Sequence, residues 1–188
     1  MTQAAIANEI KPKYLGKKVT REEYLDLYDD GFKYDMIDGV LLMAPSPFYP
    51  HSSTQLKFSH ILQQYLDKFP IGRAFLELDI FLPDGGDVLR PDISFVLKEK
   101  SSIIIGHIHG TPDLVCEILS SSTKDRDLGI KKDRYLKNGV KEYWVCDPES
   151  KKTLLYEHQS GQWEEKSGEK VESSLLKGFS IDQKELFS

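Results

Sequence analysis

The sequence has few cysteines and no long apolar run. Its two cysteines, Cys116 and Cys146, both lie inside short apolar stretches, which favours buried free thiols in a reducing compartment over a disulfide framework. No apolar stretch approaches the roughly 20 residues needed to cross a bilayer. The N-terminus also lacks the apolar region and the cleavage pattern of a secretion signal. We therefore expect a cytoplasmic protein with no membrane association.

The sequence also has no excess of positive charge. The 188 residues carry a formal net charge of −5, and no zinc motif or basic arm is present, which argues against a protein whose whole surface binds nucleic acid. Basic residues are nevertheless concentrated between Lys124 and Lys141, where seven of them stand against three acidic residues. This stretch is either a local basic face or an ordinary solvated helix surface with ion pairs between successive turns.

The spacing of apolar residues predicts a mixed α/β protein. A chain of this length fits one domain, and we expect a flexible arm at residues 1–18 followed by a single domain at 19–188. An N-terminal helix and a β-hairpin come first, and the order of elements predicts a sheet flanked by helices. The later elements are predicted as a helix at 58–69, strands at 73–82 and 91–97, an irregular link at 98–111, a buried strand at 114–119, N-cap residues at 120–123 followed by a helix to about 137, and strands at 142–146 and 153–157.

Two acidic residues interrupt predicted strands at positions where apolar residues are expected. Asp92 opens Pro-Asp-Ile-Ser-Phe-Val, and Glu117 lies within Leu-Val-Cys-Glu-Ile-Leu. Burying an ionised carboxylate is costly unless a cation meets it, so either acid alone could form a structural ion pair with a neighbouring helix. Two such acids on neighbouring strands point instead to a shared site for a hard cation such as Mg²⁺, which takes oxygen ligands.

A lysine on the next predicted helix could reach this pair of acids. Asp127, Lys131 and Tyr135 are spaced four residues apart, so they project from one helix face. If that face packs across the end of the Glu117 strand, the lysine ammonium approaches both carboxylates. Carboxylates, a metal and a lysine are together suited to hydrolysing a phosphodiester. The metal polarises the phosphate and activates water, while the lysine orients that water or stabilises negative charge.

Several stretches together resemble the PD-(D/E)XK nuclease superfamily, and within it a large family of bacterial proteins described as restriction-endonuclease-like. The similarity covers about residues 20 to 160, and the combined pattern is more specific than any one piece. The matching stretches are Tyr-Asp-Met-Ile-Asp-Gly (34–39), a proline-rich stretch ending at His51, Arg-Pro-Asp-Ile-Ser-Phe-Val (90–96), Pro-Asp-Leu-Val-Cys-Glu-Ile-Leu-Ser (112–120), Asp127-x-x-x-Lys131-x-x-x-Tyr135, and Gly-Val-Lys-Glu-Tyr-Trp-Val-Cys-Asp-Pro (139–148).

The resemblance implies a restriction-endonuclease-like core, with a central mixed β-sheet flanked by helices, and it assigns roles by position. Asp92 matches the first acid of the motif and Glu117 the second. The motif lysine normally follows two residues later, where this chain has Leu119. The resemblance implies that in this family the lysine lies on the following helix, where Lys131 is the matching residue. Lys132 ranks second, because it points about 100° away around the helix.

Further residues complete the predicted site. The backbone carbonyl of Ile118 is predicted as an additional ligand for Mg²⁺ or Mn²⁺. Glu77, on the polar and aromatic face of its predicted strand, is either a metal ligand or part of a structural ion pair. His51 is either a supporting site residue or a packing residue at a helix start. Asp127 and Tyr135 are predicted to hold the catalytic lysine in place.

The leading hypothesis is a metal-dependent endonuclease that hydrolyses phosphodiester bonds in DNA, with the basic helix near the phosphates. The alternative is a catalytically inactive nuclease-fold module that serves protein interaction or regulation, which the displaced lysine and the negative net charge favour. A glycosidase-type carboxylate pair is a weaker third option, since nothing resembles a sugar-binding groove. A homodimer that forms a cleft of different local charge is also left open.

Overall fold

The centre of the structure is a mixed β-sheet built mainly from the second half of the chain. This computed structural model describes residues 11–44, 46–83 and 86–188. A 3₁₀ helix spans Lys98–Ile103, and a π-helical turn at Asp127–Lys131 joins helices α3 and α4. The other elements among the described residues are, in chain order, α1 (Arg21–Leu25), β1 (Lys33–Ile37), β2 (Val40–Ala44), α2 (Tyr49–Lys68), β3 (Gly72–Leu76), β4 (Ile80–Phe81), β5 (Val88–Leu89), β6 (Ile93–Leu97), β7 (Ile104–Ile105), β8 (His107–His109), β9 (Leu114–Ile118), α3 (Lys124–Arg126), α4 (Lys132–Lys137), β10 (Glu142–Asp147), β11 (Lys152–Gln159), β12 (Gln162–Ser167), β13 (Lys170–Glu172), β14 (Ser180–Asp182) and α5 (Gln183–Leu186).

The central sheet has the strand order β12-β11-β10-β9-β6-β3. Strands β9 and β10 run parallel, whereas the other neighbouring strands are antiparallel. Successive side chains point to opposite faces. Cys116 and Trp144 therefore pack with α2 and α5 on one face, while Val115 and Tyr143 pack with α4 and strands of a second sheet on the other. This arrangement confirms the prediction of a mixed sheet flanked by helices.

The second sheet contains the N-terminal hairpin and forms a wall of the candidate site. Its strand order is β2-β1-β5-β4-β8-β7. The hairpin turn is made by Asp38 and Gly39, with φ of 51° and 76°, which is the conformation that short hairpin loops require. Helix α1 starts with a capping box formed by Thr20 and Glu23. The predicted N-terminal helix and hairpin are therefore confirmed.

The predicted N-terminal arm is described only in part, because residues 1–10 lie outside the described residues. In the remaining part, Tyr14 is buried and the Gly16 amide donates a hydrogen bond to the Leu41 carbonyl at 2.8 Å. Lys18 forms an isolated β-bridge with Val40. Residues 11–18 thus contact the hairpin, while the division of the chain into an arm and a single domain stays a prediction.

Two predicted segments differ from the structure. The strand predicted at 73–82 is interrupted at Glu77, whose φ of 50° is a left-handed conformation that does not continue a strand. The chain therefore leaves the central sheet after β3 and enters the second sheet as β4, so Glu77 lies between two strands and not on a strand face. The link predicted at 98–111 contains the antiparallel strands β7 and β8, which are too short to give a recognisable pattern in the sequence.

The helix predicted to follow the N-cap residues at 120–123 and to run to about 137 is locally irregular. It begins at Lys124, and at Gly129 the backbone has non-helical φ and ψ of −104° and −105°. π-helical turns of this kind occur frequently at functional sites. Here the turn carries Asp127 and Lys131, and both side chains are buried. The irregular turn therefore directs two charged side chains into the protein.

The two cysteines agree with the expectation drawn from the sequence. Cys116 and Cys146 are buried free thiols whose Sγ atoms lie 3.9 Å apart. Among the described residues, no helix combines the length and the apolar character needed to cross a membrane.

Candidate active site

Asp92 and Glu117 meet where β6 and β9 run side by side. The two strands are antiparallel and pair Ile93 with Cys116, so the residue before Ile93 lies next to the residue after Cys116. The Ile118 amide donates a hydrogen bond to Asp92 Oδ2 at 2.7 Å, which fixes the Asp92 carboxylate against β9. Both acids line one cavity of about 80 Å³, which we call the acidic cavity.

Lys131 reaches the Glu117 carboxylate from the π-helical turn. Its Nζ lies 2.5 Å from Glu117 Oε1, and the carboxylates of Asp127 and Asp35 lie 3.4 Å and 3.7 Å from the same Nζ. The Tyr135 hydroxyl donates a hydrogen bond to the same Glu117 oxygen at 2.9 Å. Lys131 and Glu117 are each only 3% exposed, so this ion pair is largely removed from water. The displaced lysine thus contacts the second acid of the predicted motif.

The charges around Lys131 keep it protonated. Burial lowers the pKa of Lys131, but its three carboxylate neighbours outweigh burial and leave the pKa raised. Burial raises the pKa of Glu117 as well, and Lys131 offsets only part of this effect. Burial is the main cause of the raised pKa of Glu117, and the nearby carboxylates of Asp127, Asp92 and Asp35 add to it. Lys131 keeps its charge, because three carboxylates lie within 4 Å of its ammonium.

Asp35 on β1 is a site residue that the sequence analysis missed. Its buried carboxylate accepts a hydrogen bond from the Arg90 amide at 2.9 Å. Its Oδ2 lies 3.7 Å from Lys131 Nζ and 3.8 Å from Arg126 Nη1, so it connects the hairpin to the helical side of the cavity. The sequence contains a signal for Asp35, because it interrupts the apolar strand Tyr-Asp-Met-Ile. The same kind of interruption identified Asp92 and Glu117.

Glu77 and His51 also line the acidic cavity. Glu77 is ion-paired with Lys33, and the Gln55 side-chain amide lies 3.4 Å from Glu77 Oε1 and donates to the Asp92 carbonyl at 3.2 Å. His51 Nε2 is 3.3 Å from Asp92 Oδ2, while its buried Nδ1 has no hydrogen-bond partner among the described residues. His51 therefore contacts the first acid, and the Glu77 carboxylate is already engaged by a cation.

Lys132, the second candidate for the lysine role, points away from the acids. Its Nζ lies over the ring of Tyr156, 3.4 Å from the ring centroid, and Lys132 does not line the acidic cavity. The geometry therefore leaves Lys131 as the candidate that contacts one of the two predicted catalytic acids, Glu117.

The acidic cavity is surrounded by more negative than positive charge. Six carboxylates surround it against four cationic side chains, if the carboxylate that pairs with the lining residue Arg90 is included. The carboxylates therefore outnumber the lysine and arginine cations by two. A divalent cation would neutralise this excess, which matters because a buried carboxylate without a positive partner is costly. The carboxylates are Asp35, Glu77, Asp79, Asp92, Glu117 and Asp127, and the cations are Lys33, Arg90, Arg126 and Lys131.

Oxygen ligands for such a cation are present but few. Asp92 Oδ1 and Glu117 Oε2 accept no hydrogen bond from any described residue, and Ile118 lines the cavity as well. Within residues 11–44, 46–83 and 86–188, no three His, Cys, Asp or Glu side chains are grouped closely enough to hold a metal by themselves. Mg²⁺ commonly uses one or two carboxylates and takes its other ligands from water and substrate. The residues therefore fit a hard divalent cation that is only partly coordinated by protein.

The fold and the position of the two acids define a protein of the restriction-endonuclease-like class. Residues 21–184 match the model of the Uma2 family, whose description is "putative restriction endonuclease", and the chain belongs to this family. No curated protein matches the sequence.

A solved structure supports the same fold. It is described as a putative nuclease belonging to DUF820 from Anabaena variabilis ATCC 29413, and its sequence is 24% identical to this chain. The match covers 90% of this chain and 97% of the other, with a TM-score of 0.77. The predicted restriction-endonuclease-like fold is therefore confirmed.

Proposed function

We propose that this protein is a divalent-metal-dependent nuclease that hydrolyses phosphodiester bonds in DNA. The observation that carries the proposal is the 2.5 Å contact between Lys131 Nζ and Glu117 Oε1. It supplies a cation beside the acids although Leu119 occupies the usual lysine position. Asp92 and Glu117 would hold Mg²⁺ or Mn²⁺, with the Ile118 carbonyl as a further ligand. The description of the family supports nuclease chemistry.

The protein orients the first acid through neighbouring groups. When bound, the metal would polarise the scissile phosphate and lower the pKa of a coordinated water. The Ile118 amide and His51 both contact Asp92 Oδ2, so the carboxylate is held in one orientation and its other oxygen stays unused. Glu77 is the weaker ligand candidate, because a metal would compete with Lys33 for its carboxylate.

Lys131 serves as a cation and not as a general base. Its raised pKa means that it keeps its proton at neutral pH. From its position beside Glu117, the ammonium can donate a hydrogen bond to the attacking water and stabilise negative charge that develops on the phosphate. Asp127, 3.4 Å from Nζ, restricts the lysine, and the Tyr135 hydroxyl restricts the carboxylate that the lysine contacts.

Metal binding and DNA cleavage test the proposal together. Calorimetric titration with Mn²⁺ should show binding by the wild type and none by Glu117→Gln. In the presence of Mn²⁺, the wild type should cleave supercoiled plasmid or single-stranded circular DNA, and Glu117→Gln should be slower by about 10²–10³-fold, the usual effect of removing one group that stabilises charge at a reacting centre. Glu142→Gln is the matched control, since Glu142 is a buried strand glutamate that does not line the acidic cavity.

The control decides how a loss is interpreted. Equal loss of Mn²⁺ binding in Glu117→Gln and Glu142→Gln would show only that the fold had been damaged. Cleavage by Glu117→Gln at the wild-type rate would refute the assignment of the site.

A catalytically inactive module is the second candidate function. The observation that favours it is the small number of protein ligands at the acidic cavity within the described ranges. A wild type that binds no Mn²⁺ at millimolar concentration and leaves both DNA substrates intact would favour a role in protein interaction or regulation.

A further inference from the structure

An exposed phenylalanine forms part of the wall of the acidic cavity. Phe48 is 79% exposed and lines the cavity together with His51. The next residue, Tyr49, begins α2 and is 82% exposed. Rings this exposed remove little apolar area from water, so they add little to the stability of the fold. Their position beside the proposed catalytic acids makes a role in binding the better account.

A second cavity, of about 260 Å³, adjoins the acidic cavity. Phe48, His51 and Ser120 line both cavities, so the two are neighbours. Leu119 and Pro148 add apolar walls to the second cavity. We call it the Phe48 cavity; it offers an aromatic ring and apolar surface directly beside the proposed site of hydrolysis.

The Phe48 cavity has no surplus of positive charge. Lys124 lines it together with Asp147 and Glu149, and Lys124 Nζ is paired with Asp147 at 3.2 Å. Duplex DNA is bound mainly through cations that neutralise its phosphates, and the net charge of −5 shows that the whole chain does not supply them in excess. Stacking of a base on an aromatic ring needs no such charge. The chemistry of this cavity therefore fits a base better than a phosphate.

A cleft rich in tyrosine also adjoins the acidic cavity, and its volume is about 460 Å³. Lys33, Tyr34 and Arg90 line both the acidic cavity and this cleft. Tyr24 and Tyr28 line the cleft as well, and Tyr28 is largely exposed. Two separate sets of shared lining residues thus place aromatic side chains next to the acidic cavity. A strand that passes the acids could stack bases on both sides of the reacting phosphate.

We propose that the substrate is single-stranded DNA and that an unpaired base next to the scissile phosphate stacks on Phe48 in the Phe48 cavity. This inference rests on the proposed nuclease function and names the substrate class of the same site. A base in a duplex has both faces covered by its neighbours, so it cannot stack on Phe48 without leaving the helix. Stacking would also add binding free energy without requiring a further cation.

Fluorescence anisotropy with an end-labelled oligodeoxynucleotide of mixed sequence tests the proposal. Binding is measured with Ca²⁺, a hard cation that takes oxygen ligands, in place of Mn²⁺, and gel electrophoresis of each sample confirms that the DNA stays intact. The oligodeoxynucleotide is used both as a single strand and annealed to its complement. The wild type should bind the single strand more tightly than the duplex. Phe48→Ala should weaken single-strand binding about tenfold, the effect of losing one stacked base, and Phe48→Trp should retain it. Phe69→Ala is the matched control, because Phe69 is an exposed aromatic residue at the other end of α2.

Several outcomes would overturn the inference. Tighter binding of the duplex would do so, and so would equal affinity of Phe48→Ala and the wild type for the single strand. Tighter binding of an RNA strand of the same sequence would reject DNA as the substrate class.

Failure of the nuclease proposal would look different. A wild type that binds the single strand through Phe48 but cleaves nothing with Mn²⁺ would reject hydrolysis and leave the stacking site in place. Mn²⁺-dependent cleavage that Phe48→Ala leaves unchanged would reject the stacking site and leave the nuclease in place.

Discussion

Two buried glutamates on adjacent strands of the central sheet have very different surroundings. Glu117 on β9 and Glu142 on β10 are 3% and 1% exposed, and β9 and β10 are parallel neighbours. Glu117 meets the ammonium of Lys131 and the hydroxyl of Tyr135 at one oxygen. Among the described residues, Glu142 accepts hydrogen bonds from uncharged donors only. By burial alone the two residues are equivalent, so their partners must distinguish their roles.

Both oxygens of Glu142 are used by the fold. Oε1 accepts hydrogen bonds from the Ser173 hydroxyl and from two backbone amides, and Oε2 accepts them from the Trp144 indole and the same hydroxyl. The two amides belong to Ser174 and Leu175. These bonds attach the segment after β13 to the central sheet. They leave no oxygen for a ligand, so Glu142 is a structural acid.

Glu117 keeps one oxygen without a hydrogen bond from the described residues, and it lies in the wall of a cavity whose charges do not balance. Burial of an acid therefore does not identify a catalytic residue. An unused oxygen at a cavity, together with uncompensated negative charge, is the more specific indication of a cation site.

The largest effect is expected at Lys131, the cation that contacts Glu117. Lys131→Met should slow Mn²⁺-dependent DNA cleavage by about 10²–10³-fold, because a charge that would stabilise the developing negative charge is lost. Lys132→Met should leave the rate unchanged, because Lys132 lies over Tyr156 and away from the acids. Rates at saturating Mn²⁺, with circular dichroism to confirm folding, make the comparison. Equal rates for folded Lys131→Met and wild type would mean that Lys131 only balances charge.

A smaller effect should appear in stability, with different results for the two glutamates. Glu142→Gln places an amide N–H group against either the Trp144 indole or the two backbone amides, which can only donate, so it should lower the free energy of unfolding by about 1–3 kcal/mol. That corresponds to a drop in Tm of roughly 3–10 °C for a chain of this size.

Glu117→Gln should not have this cost. The carbonyl oxygen of glutamine can keep the contacts with Lys131 and Tyr135, and the substitution removes one charge from a cavity with an excess of negative charge. Its Tm in EDTA at neutral pH should equal or exceed that of the wild type. A drop as large as that of Glu142→Gln would show that Glu117 is also a structural acid.

Much of the fold could be predicted from local sequence signals. Asp38 and Gly39 define a hairpin turn because their backbone must take positive φ. The apolar run interrupted by Glu117 predicts a strand covered on both faces. The left-handed backbone at Glu77 and the π-helical turn around Gly129 could not be predicted in this way. Both depend on how distant segments pack, and very short strands such as β4 and β8 give too little pattern.

The site was predictable only in outline. The sequence identifies Asp92 and Glu117 as acids inside strands, but it does not give the register of β6 against β9 that brings them together. The same rule would also have selected Asp35, which belongs to the acidic cavity, and Glu142, which does not. Only the hydrogen-bond and ion-pair partners show that Asp35 and Glu142 have different roles. The role inferred for Phe48 depends on its exposure beside the acids, which no local pattern reveals.

The smallest expected effect is in the pH dependence of stability. Burial raises the pKa of Glu117 above its ordinary value of 4.5, so above pH 4.5 the folded protein holds a proton that the unfolded chain has released. Glu117 therefore makes its full contribution to the free energy of unfolding below pH 4.5. This contribution decreases as the pH rises through the pKa that Glu117 has in the folded protein. Glu117→Gln has no such proton, so its Tm relative to wild type in EDTA should increase from acidic to neutral pH.

Burial also raises the pKa of Glu142, but Glu142 is present in both proteins, so its contribution cancels in the difference between their Tm values. Thermal melts over this range that show a constant difference would mean that Glu117 titrates alike in the folded and unfolded chains, and the contrast with Glu142 would then rest on hydrogen bonding alone.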